Sequence, residues 1–175
     1  MNKKIIFILL LIGIIYLISN YTVGAIKIPD EAIRIRVIAN SNSYYDQQMK
    51  LKVSNNVQKE IYTLLKNVED IEVARRIIKG NINKLDDNVR TTLLKNNYNM
   101  SYNINFGQNY FPEKKFKGIT YEEGYYESVV VSLGEGKGDN WWCVLFPPLC
   151  LLEAEESDEV EYKFFVQELI EKYFR

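Results

Sequence analysis

Tyr98-Asn99-Met100-Ser101-Tyr102-Asn103-Ile104-Asn105-Phe106 is the stretch that decides the fold. Apolar and aromatic residues alternate with polar ones, the mark of a β-strand that buries one face. Immediately before it the period is different. Ile71, Ala74, Ile78, Ile82, Leu85, Val89 and Leu93 recur at steps of three and four, the stripe of an amphipathic helix. Gly80 interrupts this pattern without changing its phase, so it is either tolerated within one helix or marks a break between two helices on the same side. Asn96-Asn97 ends the helical pattern.

Further toward the N-terminus, Met49, Val53, Val57, Ile61, Leu64, Leu65 and Val68 share one helical face, with Lys50, Lys52, Gln58 and Lys59 largely away from it. Ser43 followed by Asp46 resembles a capping box at the start of this helix. Asn67 to Asp70 can cap the next one. Ile33 to Ala39 begins with alternating apolar and charged residues and reads as a strand, half buried at first and then more deeply. Toward the C-terminus, Gly107 suggests a bulge or bend, and Pro112 and Gly118 bracket a connection. Ile119 to Tyr121 reads as a short strand, and Tyr125 to Leu133 as a longer one. Asp158 to Tyr173 has near-helical spacing of Val160, Phe164, Leu169 and Tyr173. Helices grouped between strands predict an α+β domain, with amphipathic helices packed on one face of a largely antiparallel sheet. The pattern leaves the strand order open.

The chain of 175 residues begins with Lys3 and Lys4 ahead of an apolar run from Ile5 to Ile18. This is the form of an export signal, and the run is shorter than the ~20 residues a spanning helix needs. Val23 and Ala25 are small residues placed for cleavage after Ala25. Extended through Ile26, the same segment reads as an uncleaved anchor. Residues 1–25 are therefore expected to be a signal peptide or anchor, and 26–175 a single extracytoplasmic domain.

Composition excludes several classes of function. The sequence has no histidine, which removes the commonest general base and metal ligand. Of 22 basic and 23 acidic residues, the two lysines lie in the leader, and no basic stripe suggests nucleic acid. Acids gather at Glu153, Glu155, Glu156, Asp158, Glu159 and Glu161, as in a solvated linker leading into the first turn of a helix. Gly134-Glu135-Gly136-Lys137-Gly138-Asp139-Asn140 lacks the glycine spacing and the Lys-Ser/Thr pair of a phosphate-binding loop and reads as a turn. No catalytic residue, metal site or cofactor is expected. Paired carboxylates keep a secreted hydrolase open as an alternative.

The strangest segment is Trp141-Trp142-Cys143-Val144-Leu145-Phe146-Pro147-Pro148-Leu149-Cys150, which holds both tryptophans, both cysteines and no charge. Its consecutive prolines forbid a helix or central strand through them. Six residues separate the cysteines, unlike the Cys-x-x-Cys of thiol redox enzymes. Two readings fit this run: a buried core loop closed by a disulfide, or a rigid apolar contact surface for a partner. An extracytoplasmic setting permits a Cys143–Cys150 disulfide, which we expect.

Three stretches are similar to the stage II sporulation protein R family of endospore-forming bacteria. They are Arg36-Val37-Ile38-Ala39-Asn40-Ser41 with Asp46-Gln47, Gly134 to Gly138, and above all Asn140 to Cys150. Asn42 departs from the pattern, which often has Asp there. The resemblance spans about Ile33 to Leu152. It implies a protein exported from the forespore into the intermembrane space, or anchored there. In that space it triggers a membrane-embedded aspartic protease, stage II sporulation protein GA, which processes pro-sigma-E in the mother cell. Membrane contact is then expected only through an uncleaved N-terminal segment. Because the Trp-rich run carries most of the resemblance, Trp141, Trp142, Val144, Leu145, Phe146, Pro147, Pro148 and Leu149 are expected at the partner face, with Trp142 and Phe146 as anchors.

Overall fold

The computed structural model describes Lys4, Ile5, Phe7 and residues 28–116, 118–149 and 159–174. Most of the expected export segment lies outside these residues, as do Cys150 and the acids from Glu153 to Asp158. Among the described residues, no helix is long and apolar enough to cross a membrane.

Strand β1 (Ile33–Ile38) is followed by helices α1 (Tyr44–Leu65), α2 (Ile71–Gly80) and α3 (Ile82–Lys95). Strands β2 (Tyr102–Phe111), β3 (Lys114–Phe116), β4 (Ile119–Tyr121), β5 (Gly124–Leu133) and β6 (Asn140–Phe146) follow, then helix α4 (Glu159–Tyr173). The main sheet has the order β2-β5-β1-β6, and β3 and β4 form a separate hairpin. Only β1 and β5 run parallel; β2–β5 and β1–β6 are antiparallel. The domain is α+β, with a mixed sheet that is mainly antiparallel.

Caps set the helix starts. The Ser43 hydroxyl accepts from the Asp46 N–H at 3.2 Å, and the Asp70 carboxylate accepts from the Val73 N–H at 2.8 Å. Asn81 separates α2 from α3, so Gly80 marks a break rather than a flaw. The apolar faces of α1–α3 lie on one side of the sheet. There Met49, Val53, Ile61, Ile78, Leu85 and Val89 meet Ile35, Val37, Val129 and Val131 in the main core. Arg75 on α2 pins this layer, donating from Nε to both carboxylate oxygens of Glu127 on β5 at 2.8 Å. Lys50 departs from expectation. It is buried, and its ammonium donates to Gln47 Oε1.

The alternating strand begins at Tyr102, four residues later than its period suggests, and pairs with β5 without a break through Gly107 to Phe111. The expected bulge is absent from this pairing, because glycine here leaves the ladder regular. A second, smaller core joins Ile28, Ala32, Ile119, Val144, Leu149 and Val166. It brings together residues from near both ends of the described chain and the β3–β4 hairpin.

Candidate functional site

Two of the three stretches singled out in the sequence interlock beyond the end of β1. The Asn40 side-chain oxygen accepts from the Glu135 N–H at 2.9 Å, and that of Asn42 accepts from the Asp139 N–H at 2.7 Å. From the same segment, the Lys137 and Gly138 N–H groups donate to the carbonyls of Asn40 and Ala39. Short amide side chains serve here because they carry an acceptor that reaches backbone donors across a gap. Asn42 uses both ends of its amide, since its Nδ2 also donates to Asp139 Oδ1 at 3.4 Å. Gly134 has φ +55°, and a Cβ there would strike the Asn40 side chain; a Cβ on Gly138 would strike the Ser41 carbonyl. The glycine-rich segment is thus a β5–β6 turn whose donors are used within the fold.

Asp46 anchors the same corner from α1. It accepts from Ser41 Oγ at 2.5 Å, Asn40 Nδ2 at 2.9 Å and Tyr98 OH at 2.7 Å. Burial opposes its charge, but the donors from Ser41, Tyr98, Asn40 and Ser43 prevail and hold its pKa below the usual carboxylate value. Burial and the bond to Asp46 push the Tyr98 phenol up, so it remains a donor.

The Trp-rich stretch becomes β6, at one end of the sheet order, paired with β1. Its residues divide between the two faces. Trp141 and Cys143 are half-buried and pack against the helix-covered core, and Leu145 and Phe146 are buried in it. Val144 belongs to the second core, with Leu149, and Pro147 is buried. Phe146, expected as an anchor, is 1 % exposed and sets its ring against Tyr173 of α4 at 4.9 Å. Pro148 is half-buried beside Tyr62, Leu65 and Tyr173 in a shallow groove. Trp142 is half-buried on the opposite face from the helices, edge-on to Phe111 at 5.3 Å, with Lys114 Nζ 4.9 Å from its ring. Within this run the accessible side chains are therefore those of Trp141, Trp142, Cys143 and Pro148.

Sequence reasoning missed the basic residues beside Trp142. Arg34 and Arg36, whose alternation with isoleucine suggested a half-buried strand, project from the face of β1 opposite the helices. Arg34 is 3 % exposed and stacks its guanidinium on Tyr126 at 3.3 Å. Arg36 lies beside Trp142 in the β1–β6 register and donates from Nη1 to the Tyr110 carbonyl at 2.9 Å. Nε and Nη1 of Arg34 and Nε of Arg36 have no hydrogen-bond partner. Burial lowers the pKa of Arg34, Arg36 and Lys114; Tyr126 and Asp30 partly offset it at Arg34. Among the described residues no carboxylate forms an ion pair with any of the three. The only legible signal was the charge of Arg34 and Arg36 within an apolar strand. Lys114 comes alongside only through the β3–β4 hairpin. Among the described residues, no cluster of histidine, cysteine or acidic side chains could hold a metal.

Comparison with known proteins gives two positive findings. The profile of the family described as stage II sporulation protein R matches residues 29–156. The chain is also 41 % identical over 136 residues to stage II sporulation protein R of Bacillus subtilis (strain 168), an alignment covering 78 % of this chain. It spans 61 % of that relative's length. No solved structure matches the chain.

Proposed function

The chain belongs to the stage II sporulation protein R family, and from that premise we propose that it is an exported signal that activates a membrane-embedded protease during sporulation. The protease in this reading is the aspartic enzyme stage II sporulation protein GA, and the event it carries out is cleavage of pro-sigma-E. The chain acts by binding, without a cofactor or a catalytic residue of its own. It works outside the cytoplasm, between forespore and mother cell, after export through the segment Lys3 to Ala25.

The observation that carries this reading is the extent of the family match. It runs through β1–β6 and α1–α3 and includes the Trp-rich strand. The partner face is assigned to the accessible part of that strand, with Trp142 as the leading anchor. Phe146, Leu145 and Val144 support it from within the core. Asp46, the obvious buried carboxylate for the alternative of a secreted hydrolase, is saturated with donors and held in its charged form.

The test is reconstitution. Purified chain is added to membranes containing the protease and pro-sigma-E, and cleavage is followed as the amount of chain is raised. A ligand gives cleavage that saturates with the chain at a fixed ratio to protease. No cleavage beyond the level without the chain would refute the reading. Cleavage of pro-sigma-E by the chain in membranes lacking the protease would establish the hydrolase instead.

A further inference from the structure

We infer that Arg36, Lys114 and Trp142, on the sheet face opposite the helices, form a docking site for an acidic segment of a partner protein. The inference rests on the signalling reading above and gives the chemistry of the contact. Three observations on this face converge.

The first is unmet hydrogen bonding. Buried cations in folded proteins are normally paired, and a buried donor without a partner is costly. Here three guanidinium nitrogens, two on Arg34 and Nε of Arg36, lack an acceptor, and Lys114 has no carboxylate ion partner among the described residues. The second is the arrangement of rings. Phe111 lies 5.8 Å from the Arg36 guanidinium and 5.3 Å from Trp142, while Lys114 sits over Trp142. Both cations thus lie against the same pair of contacting rings. The third is access. Arg34 is sealed beneath Tyr126, whereas Arg36, Lys114 and Trp142 are half-buried and reachable.

A carboxylate-bearing peptide meets these demands together. Its acids pair with Arg36 and Lys114, and an apolar side chain can pack on Trp142. An anionic membrane surface suits the site less well. Membrane-binding basic patches protrude as clusters of about four to eight charges, whereas these two reachable cations are recessed.

The experiment uses the full exported chain in three binding assays, against the protease in neutral-lipid nanodiscs, a synthetic glutamate-rich decapeptide, and vesicles containing phosphatidylserine. Arg36→Gln, Lys114→Gln and the double variant are compared with the parent, and melting temperature is measured for each. The expected result is a salt-sensitive interaction with both protease and peptide, weakened about tenfold or more by each single change, at unchanged or raised melting temperature. In the NMR spectrum, the acidic peptide should shift the Arg36 Nε–H and Trp142 Nε1–H signals. Protease binding that is unaltered in the double variant would overturn the site and leave the signalling reading intact. Peptide binding that depends on Arg36, with no binding to protease, would retain the site and refute that partner. Loss of vesicle binding in the variants, without any peptide binding, would overturn the acidic-segment inference in favour of lipid. A parent chain that binds none of the three would overturn it as well.

Discussion

Asp46 is 6 % exposed and carries its charge only because donors converge on it. Its folded pKa lies below the ~3.9 expected of an unfolded aspartate. The stabilisation is therefore complete above that value and is lost as pH falls through the folded pKa. Urea unfolding of the parent should show stability falling below about pH 4, while Asp46→Asn should have a flatter acid limb. At pH 7, Asp46→Ala should cost about 2–3 kcal/mol, because it strands the hydroxyls of Tyr98 and Ser41 as well as losing a charged acceptor. Equal acid sensitivity in parent and Asp46→Asn would remove this carboxylate from the account.

Glycine positions give a second contrast at the same scale. Gly138→Ala must displace the Ser41 carbonyl, a backbone atom, whereas a Cβ on Gly80 meets nothing within 4 Å. Gly138→Ala should destabilise by roughly 1–3 kcal/mol. Gly80→Ala, at the end of α2, should be neutral or stabilising by up to about 1 kcal/mol. Paired denaturation curves check both signs at once, and a stabilising Gly138→Ala would mean that the two loops do not interlock so closely.

Among the elements, β6 separates core from surface within a single strand. Phe146→Ala should cost about 3–5 kcal/mol, because it empties a fully buried site against Tyr173. Trp142→Ala removes a half-buried ring and should cost clearly less stability while weakening partner binding by about 2 kcal/mol or more. Thermal melts beside binding measurements distinguish them; a Trp142→Ala variant that melts as low as Phe146→Ala yet binds fully would end the anchor role. The same strand shows why the sequence was only partly legible. Trp141 to Phe146 is apolar throughout because it touches a core on each side, so no period of two reveals a strand. The prolines that argued against a strand come just after its end. The helices and β5 were readable because each has one apolar face, and the parallel β1–β5 pairing was not, since it joins residues nearly a hundred apart. Arg36 and Trp142 meet through the long-range β1–β6 pairing, and Lys114 joins them through one hairpin, beyond the reach of local pattern.

Oxidation of the run belongs to this scale too. Cys143 lies on β6 and Cys150 just beyond Leu149, outside the described residues. A disulfide between them would close an eight-residue loop and contribute roughly 2–3 kcal/mol through chain entropy. Non-reducing intact mass of the exported protein should show the loss of two hydrogens, and two alkylatable thiols in the native protein would refute the bond.

For the molecule as a whole, the second core ties together the two ends of the domain. Ile28 is 3 % exposed and Val166 fully buried, and both pack with Val144 and Leu149. Only two residues would separate the expected cleavage point after Ala25 from that buried isoleucine. Signal cleavage should therefore precede folding, with N-terminal sequencing of exported protein starting at Ile26. A membrane-bound product that retains Met1 would instead make the segment an anchor.

The C-terminal side carries the sharper test. The family match ends at residue 156, whereas α4 begins at Glu159, so the helix that supplies Val166 and Tyr173 lies beyond the matched region. Its contacts are nevertheless core contacts, since Val166 enters the second core and the Tyr173 ring meets Phe146. Removing residues 157–175 should uncover Ile28, Ile119, Val144 and Leu149 together, a loss on the order of 3 kcal/mol or more from apolar surface alone. For a chain of this size that lowers the melting temperature by about 6–12 °C. Val166→Asp should act in the same direction in the full chain, because it places an unpaired charge at the same buried point. The truncated chain should also bind an apolar dye that the full chain does not, since the patch loses the helix packed on it. If it melts with the full chain and binds no dye, α4 does not close this core, and the described fold is sustained by the family-matched region alone.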